Sequence, residues 1–582
     1  MSAYRTRAAA EMREQNPSAT VTPIMRQLVD DSAAMLRRGP ADARERAQAA
    51  RAYAIDHLSE LHEQVRDQFA KQGIGYHFAA TADDAVAIVK QLLGDGKRVA
   101  KSKSMVGEEV GLTDALRAAG IDVLETDIGE YIVDIEGRGP SHITAPALHL
   151  NRSRIRDMLA RSGADLPDDD PTRLSRYVRD IVGDFFKDCD AGITGANAIV
   201  ASTGRLMIVE NEGNVSLGAS HPKLHISITG MEKLVADEAG ALAILEVLAP
   251  SATAQPLTSF SHFLASPMPG QERHVVFVDN GRSRILKDER YRDVLRCIRC
   301  GACMNGCPVY RIAGGLSYGS PYMGPIGAVL SPLLWDDGRF ADLPGASSLC
   351  GRCTEVCPVG IPLHRMLLDL RADAVAAGKP GIAERTSWKA WSFTFAGATT
   401  ARAASALGRI SLRASAKLPR PGRSDADPRT LPSVSPDRDP EALRAGPAPE
   451  REVAFVAPEE VLPESLVDLF RMRAEALGVR VVLKLDAEEG DRRLRATAAI
   501  ANTGSVLLTG EQAARRPILA AKRVVIELDP ATLVRYPAGL ADRLGDGDAL
   551  ILTGASRTAD IEKQIVKGIH GSEELIVVLA GG

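Results

Sequence analysis

Apolar residues recur at intervals of three and four through DARERAQAARAYAIDHLSELHEQVRDQFAKQ, with few breakers, and predict a helical region over residues 1–72. After Gly73 the period changes. Short β-like runs (KRVAKSK, IDVLET, AIVAST, RLMIVEN, LHISIT, HVVFVDN) alternate with helical stretches (TADDAVAIVKQLL, GLTDALRAAG, MEKLVADEAGALAILEVLA). That alternation predicts an α/β unit with a largely parallel sheet over residues 73–285. A segment with Gly, Pro and most of the cysteines follows at 286–375. A helical extension carrying Trp388 and Trp391 spans 376–413. Residues 414–452 are dense in Pro, Arg, Asp and Ser and read as a flexible linker. From 453 to 582 the α/β texture returns.

That return reads as an internal repeat. Residues 198–206 (AIVASTGRL) parallel 498–506 (AAIANTGSV), and residues 270–278 (GQERHVVFV) parallel 571–579 (GSEELIVVL). The spacing between the paired blocks is nearly the same in both halves, which points to a duplicated domain.

Composition narrows the class. A chain of 582 residues is too long for one core, so two or three folded units are expected. Hydrophobic residues at 45% and charged residues at 25% fit an ordinary globular protein. The net charge of -4 argues against a general nucleic-acid binder. No run of about 18 apolar residues predicts a transmembrane helix. The N-terminus MSAYRTRAAAEMREQ lacks the apolar core of a secretory signal, so a cytoplasmic location is expected.

Of eight cysteines, Cys189 stands alone and reads as an inert thiol; the other seven fall between Cys297 and Cys357. In a reducing compartment such a cluster reads as metal ligation. Cys297, Cys300, Cys303 and Cys307 with Pro308 form C-x2-C-x2-C-x3-C-P, the bacterial ferredoxin run. Cys350, Cys353 and Cys357 with Pro358 repeat it without the first cysteine, and Ser347 occupies that place. The last cysteine of each ferredoxin run serves the other cluster. Cluster one is then expected on Cys297, Cys300, Cys303 and Cys357, and cluster two on Cys307, Cys350 and Cys353, with its fourth iron labile. Two 4Fe-4S clusters fit better than zinc, which needs four ligands and commonly takes paired knuckles with no following Pro. The stretch between the runs shows helical signals and no hairpin pair, so a helical ferredoxin is expected, as in fumarate-reductase-type subunits.

Further candidates are weaker. Lys101, Lys103 and Ser104 lie at a strand end, where an anion such as a carboxylate or phosphate is a candidate ligand and a solvated turn the plainer reading. His142 and Glu210 are also candidate site residues. No G-x-G-x-x-G follows a strand and no G-x-x-x-x-G-K-[ST] occurs, so no flavin or nicotinamide site is expected by motif. One-electron carriers then need a partner holding a two-electron cofactor.

Residues 101–105 (KSKSM), 125–131 (ETDIGEY), 140–142 (PSH), 193–197 (ITGAN) and 209–214 (VENEGN), with the cysteine region and its GGLSYGS and GPIGA segments, resemble the lactate-utilisation iron–sulfur subunit, lactate utilisation protein B. The resemblance covers about residues 20–410. Residues 554–562 (GASRTADIE) and 568–575 (GIHGSEEL) resemble the end of the companion subunit, lactate utilisation protein C. It implies a multidomain α/β protein: a NagB/RpiA/CoA-transferase-like LUD domain, a helical ferredoxin-type 4Fe-4S domain, and a second, truncated LUD-like domain. It also implies a part in oxidising L-lactate to pyruvate, with other subunits of the complex as partners, a cysteine-rich one among them. A rival expectation makes the LUD domain itself the dehydrogenase, with Lys101, Lys103, His142 and Glu210 gripping a carboxylate; another makes the protein an iron–sulfur scaffold.

Overall fold

Four helices open the chain, Ala3–Glu14, Pro17–Arg38, Ala43–Asp56 and Leu58–Gln72. The last buries Leu58, Leu61, Val65 and Phe69, one stripe at helical spacing. Gly73 ends it with φ 70°, a left-handed cap that glycine adopts without a Cβ penalty. The computed structural model describes residues 2–402 and 462–580, apart from 15, 379–381, 398, 401, 486–490 and 562–563. The expected linker at 414–452 lies outside the described residues.

The first α/β copy holds ten strands: β1 (Ile74–Ala79), β2 (Arg98–Lys101), β3 (Asp122–Glu125), β4 (Ala191–Thr194), β5 (Ala198–Val200), β6 (Leu206–Glu210), β7 (Leu224–Gly230), β8 (Leu234–Val235), β9 (Phe260–Leu264) and β10 (Glu272–Val278). Six form a parallel sheet in the order β1-β10-β7-β4-β2-β3. Helices cover this sheet, so β4 is buried at every position and reads as an unbroken run rather than an alternating one. The stretch MEKLV, expected to start a helix, forms a 3-10 turn at Met231–Lys233 followed by β8; the helix begins at Glu238, capped by the Asp237 side chain.

The second copy holds β11 (Arg480–Val482), β12 (Arg492–Arg495), β13 (Ala498–Ile500), β14 (Ser505–Thr509), β15 (Arg523–Leu528), β16 (Leu533–Val534), β17 (Ala549–Leu552), β18 (Arg557–Thr558), β19 (Val566–Lys567) and β20 (Glu574–Leu579). Its parallel sheet, β11-β20-β15-β12, follows the first four positions of the larger one. Among the described residues β2 and β3 have no counterparts: only nine residues separate Val482 from Arg492, whereas helices and both strands lie between Ala79 and Ala191.

A second sheet joins the copies. Its order, β16-β13-β14-β17-β9-β6-β5-β8, reads the same in both directions once each strand is matched to its equivalent. The registers agree: Ile199 pairs Leu206 and Leu234, as Ala499 pairs Val506 and Leu533. At the centre β9 and β17 run antiparallel, Phe263 against Ala549, His262 against Leu550 and Ser261 against Ile551. The expected largely parallel sheet therefore describes one sheet of the copy; the other is mixed, and its strands of two to five residues carry little period of their own.

The cysteine segment is helical. Helices Ala302–Asn305, Pro308–Ala313, Gly324–Leu334, Arg352–Glu355 and Leu363–Ala376 fill it, with no strand among the described residues. It shares one core with the opening helices and with Glu238–Thr253, through Met25, Ala47, Leu245, Leu295 and Met304. Buried Arg51 ties these parts together, donating to the carbonyls of Glu232 (2.6 Å), Leu234 (2.7 Å), Leu295 (2.9 Å) and Arg296 (3.1 Å). Helix Ile382–Phe395 belongs to a separate unit, residues 372–460, and exposes Trp388 and Trp391. Among the described residues no helix is long and apolar enough to cross a membrane.

Ile551 is fully buried at the joint between the copies. Ile551→Ala is expected to cost about 2–5 kcal/mol, the usual range for such a truncation. A lowered urea midpoint with an unchanged slope is the expected result.

Candidate functional site

The carboxyl ends of β2, β3, β4 and β6 open on a cavity of about 750 Å³. Open parallel sheets commonly bind ligands beyond these ends. Lys103, Ser104, Asp127, Asn197, Glu210, Glu212 and Asn214 line it from the first copy, and Arg557, Thr558 and Asp560 from the second. Ile298 and Arg299, on the loop between Cys297 and Cys300, close another side.

The candidate residues divide by environment. Lys103, Ser104 and Glu210 face the cavity. Lys101 lies outside its lining: its Nζ binds Glu125 Oε1 at 2.8 Å and Glu108 at 3.1 Å, and Lys101 and Glu125 are register partners on β2 and β3. Burial lowers the pKa of Lys101, but Glu125 and Glu108 outweigh it and hold the amine charged. Ser104 caps helix Met105–Glu109 by accepting from Gly107 N. Glu210 accepts from the N–H groups of Val215 (2.7 Å) and Ser216 (3.0 Å) and binds His262 Nε2 at 2.8 Å. Burial pushes Glu210 up; His262, Ser216 and these amides outweigh that and keep its pKa below the ordinary value. His142 lies against the cysteine segment, 2.9 Å from Asn305 Oδ1, and its Nδ1 accepts from Thr144 N at 3.1 Å.

The carboxylates Asp127, Glu212 and Asp560 meet at one side of the cavity. Burial, then Asp560, raises Asp127 to about 6. Burial, Asp127 and Asp560 raise Glu212 well above its ordinary value. Glu130, 3.4 Å from Lys103, is raised to about 8, burial outweighing the lysine. Acids raised in this way take up protons at higher pH than ordinary carboxylates and, once protonated, donate as well as accept hydrogen bonds. In the sequence Asp127, Glu212 and Asp560 fall inside three separate motifs, and their spacing carries no sign that they converge.

The thiols form two groups. Cys297, Cys300, Cys303 and Cys357 surround a gap of about 20 Å³. Cys307, Cys350 and Cys353 are the other, close enough for Cys307 and Cys350 to raise Cys353, after burial, to about 11. The two loops repeat each other. Arg299 and Leu349 precede Cys300 and Cys350 at φ 62° and 56°; Gly301 and Gly351 follow at φ 79° and 81° and cap short helices. A Cβ on Gly301 would also lie 3.1 Å from His142 Cε1. Arg299 N donates to Cys297 Sγ at 3.4 Å, and Leu349 N donates to Ser347 Oγ at 3.1 Å, so Ser347 makes the contact that Cys297 makes. All these residues suit an iron–sulfur group: burial raises the thiol pKa values, bound iron removes those protons, and the left-handed backbone turns amides toward sulfur. No three His, Cys, Asp or Glu among the described residues are arranged around a single ion.

A buried charge chain joins cavity wall and cysteine loop. Arg282 binds both oxygens of Glu109 (2.7 and 2.8 Å) and Glu232 at 2.7 Å; Arg299 binds Glu232 at 3.3 Å and lies 4.8 Å over the Tyr322 ring. Tyr322 donates to Glu109 at 2.6 Å. Removing one partner would strand a buried charge, at about 3–5 kcal/mol.

Residues 62–287 and 494–580 match the LUD domain family, and residues 293–361 match the 4Fe-4S dicluster domain. Lactate utilization protein B 2 of Bacillus mycoides (strain KBAB4) is 44% identical over 358 residues, 60% of this chain and 75% of that protein. The chain belongs to the lactate utilization protein B family. Lactate utilization protein B of Bacillus thuringiensis (strain Al Hakam) aligns with the same identity and coverage. A solved DUF162 family protein from Deinococcus radiodurans covers 38% of this chain and 97% of its own, at 17% identity and a TM-score of 0.22, too slight a likeness to bear on the site. For this member of the lactate utilization protein B family, the LUD match spans both copies, and the dicluster match spans both thiol groups.

Glu130, beside the cavity residue Lys103, gives the LUD domain a pH signature. Its folded pKa of about 8 exceeds its unfolded value near 4.5, so its stabilising contribution is complete below about 4.5 and is lost as pH rises to 8. Glu130→Gln is expected to flatten the fall in stability between pH 5 and 8 by about 2–4 kcal/mol, readable as urea midpoints across that range. An unchanged slope would place its proton elsewhere.

Proposed function

We propose that this chain is an iron–sulfur electron-transfer subunit of a cytoplasmic L-lactate-oxidising complex that forms pyruvate. Other subunits, including a cysteine-rich one, complete it. The names of its relatives supply the substrate. The observation that carries the reading is the shared wall: Ile298 and Arg299 lie between two thiols of the buried group and also line the LUD cavity. The other group reaches the surface, where Cys350 is exposed. Two 4Fe-4S clusters bound at these thiols supply one-electron transfer between cavity and surface. Arg299 orients the shared wall by binding Glu232, and the buried core around Cys297 and Cys303 keeps water from the inner group. Oxidised, iron-loaded protein mixed anaerobically with the partner subunits and lactate is the test. L-lactate is expected to bleach the absorbance near 400 nm only when the partner subunits are present.

One observation favours a second reading, in which the LUD cavity itself holds the carboxylate substrate. Lys103 Nζ is buried there with Glu130 at 3.4 Å and no hydrogen-bond partner among the described residues. Bleaching by lactate with the chain alone would select it.

Ser347 bears on the outer cluster. A hydroxyl must lose a proton and is a harder ligand than thiolate, so the fourth iron is expected to be labile in air. Low-temperature EPR of air-exposed protein is expected to show an oxidised three-iron signal, and Ser347→Cys to suppress it. An identical signal in that variant would remove Ser347 from the open corner.

A further inference from the structure

Among its described residues the second LUD copy has no equivalents of β2 and β3, the strands whose ends carry Lys101–Ser104 and Glu125–Asp127 in the first. It has something the first copy does not. Between β9 and β10 the first copy has only the short connection 265–271; between β17 and β20 the second has a longer arm that folds as the β18–β19 hairpin.

That arm crosses to the first copy. Arg557 N donates to Asn211 O at 2.8 Å, and His570 N donates to Glu212 O at 2.9 Å, so it pairs with the loop that follows β6. Ile561, Val566 and Ile569 enter the core formed by Ile128, Ile132, Val182 and Phe186 of the first copy. The arm is therefore anchored by backbone hydrogen bonds and buried apolar contacts, independently of the side chains it brings to the cavity.

Those side chains are Arg557, Thr558 and Asp560. Nε and Nη2 of Arg557 are buried with no hydrogen-bond partner among the described residues. Its pKa is lowered by burial alone, with no carboxylate offsetting the cost. A guanidinium left this way at a cavity wall is suited to an anion that arrives from outside, and its planar fork matches a carboxylate. The same cavity is lined by Lys103 and by the acid group of Asp127, Glu212 and Asp560. The raised acids offer hydrogen-bond donors and acceptors to a neighbouring hydroxyl or carbonyl.

We propose that the second LUD copy completes the first copy's site, with Arg557 as the group that binds the carboxylate of a small 2-hydroxy or 2-oxo acid. This rests on the reading of the LUD cavity as a carboxylate site. The second copy acts on its neighbour rather than on a ligand of its own.

The test uses full-length, iron-loaded protein under anaerobic conditions. Calorimetric titration compares L-lactate and pyruvate with L-lactamide, which keeps the hydroxyl and loses the charge. Wild type is expected to prefer L-lactate over L-lactamide by at least about tenfold. Arg557→Gln is expected to weaken lactate and pyruvate by about tenfold or more and leave lactamide nearly unchanged, with iron content and visible absorbance retained. Arg557→Lys, which keeps the charge but not the fork, is expected to lose less. A lactate-to-lactamide preference as large in both variants as in wild type overturns the role of Arg557 and leaves the carboxylate reading standing. If Arg557→Gln fails to fold, Arg557→Lys decides alone: full wild-type affinity for both acids overturns the proposal. Wild-type protein that binds neither acid overturns the carboxylate reading and the proposal with it.

Discussion

The antiparallel ladder between β9 and β17 is the contact on which the rest of the fold depends. It turns two four-strand pieces into one sheet of eight, satisfying edge strands that each copy would otherwise leave open. It also fixes where the second copy's arm can reach. With His262 opposite Leu550 at the centre, β17 ends with Leu552 opposite Phe260, and β6 ends with Glu210 opposite Phe260 on the other side of β9, so the arm meets the loop at Asn211 and Glu212. A slip of one residue would turn every inward side chain of these short strands outward.

The electrostatics follow from burial on both sides of the cavity wall. Toward the cysteines, Arg282 and Arg299 neutralise Glu109 and Glu232, and burial's upward push on Glu232 is overcome, holding it at about 2. Toward the cavity, the acids outnumber nearby cations, and Asp127 and Glu212 rise instead. One wall thus separates fixed charges, which position the cysteine loop, from groups that exchange protons near neutral pH. Glu210 shows that acidity here follows hydrogen bonding more than burial, since its amides and His262 hold it low in the same cavity.

What was legible in the sequence was local. The C-x2-C-x2-C-x3-C-P run, its serine-bearing echo and the repeated AIVASTGRL and AAIANTGSV blocks carry their meaning within a dozen residues. The family match and the LUD fold bear out the domain types read there. The mixed sheet was hidden because β8 and β16 have two residues each, too few for a period. Lys101 and Lys103 are two positions apart and look alike in sequence; only the register of β2 on β3 shows that one is locked to Glu125 while the other meets the cavity. The RTAD stretch at 557–560 was visible as a motif, but its role depends on chain crossing from one copy to the other, which spacing does not encode.

Two separate chains paired through such a ladder would come apart on dilution, and a cavity finished by the partner would be lost with them. Here the copies share one polypeptide, so their meeting is governed by an effective concentration that the connecting segment sets. The arm's contribution to the cavity is thereby fixed at one per chain, whatever the abundance of the protein.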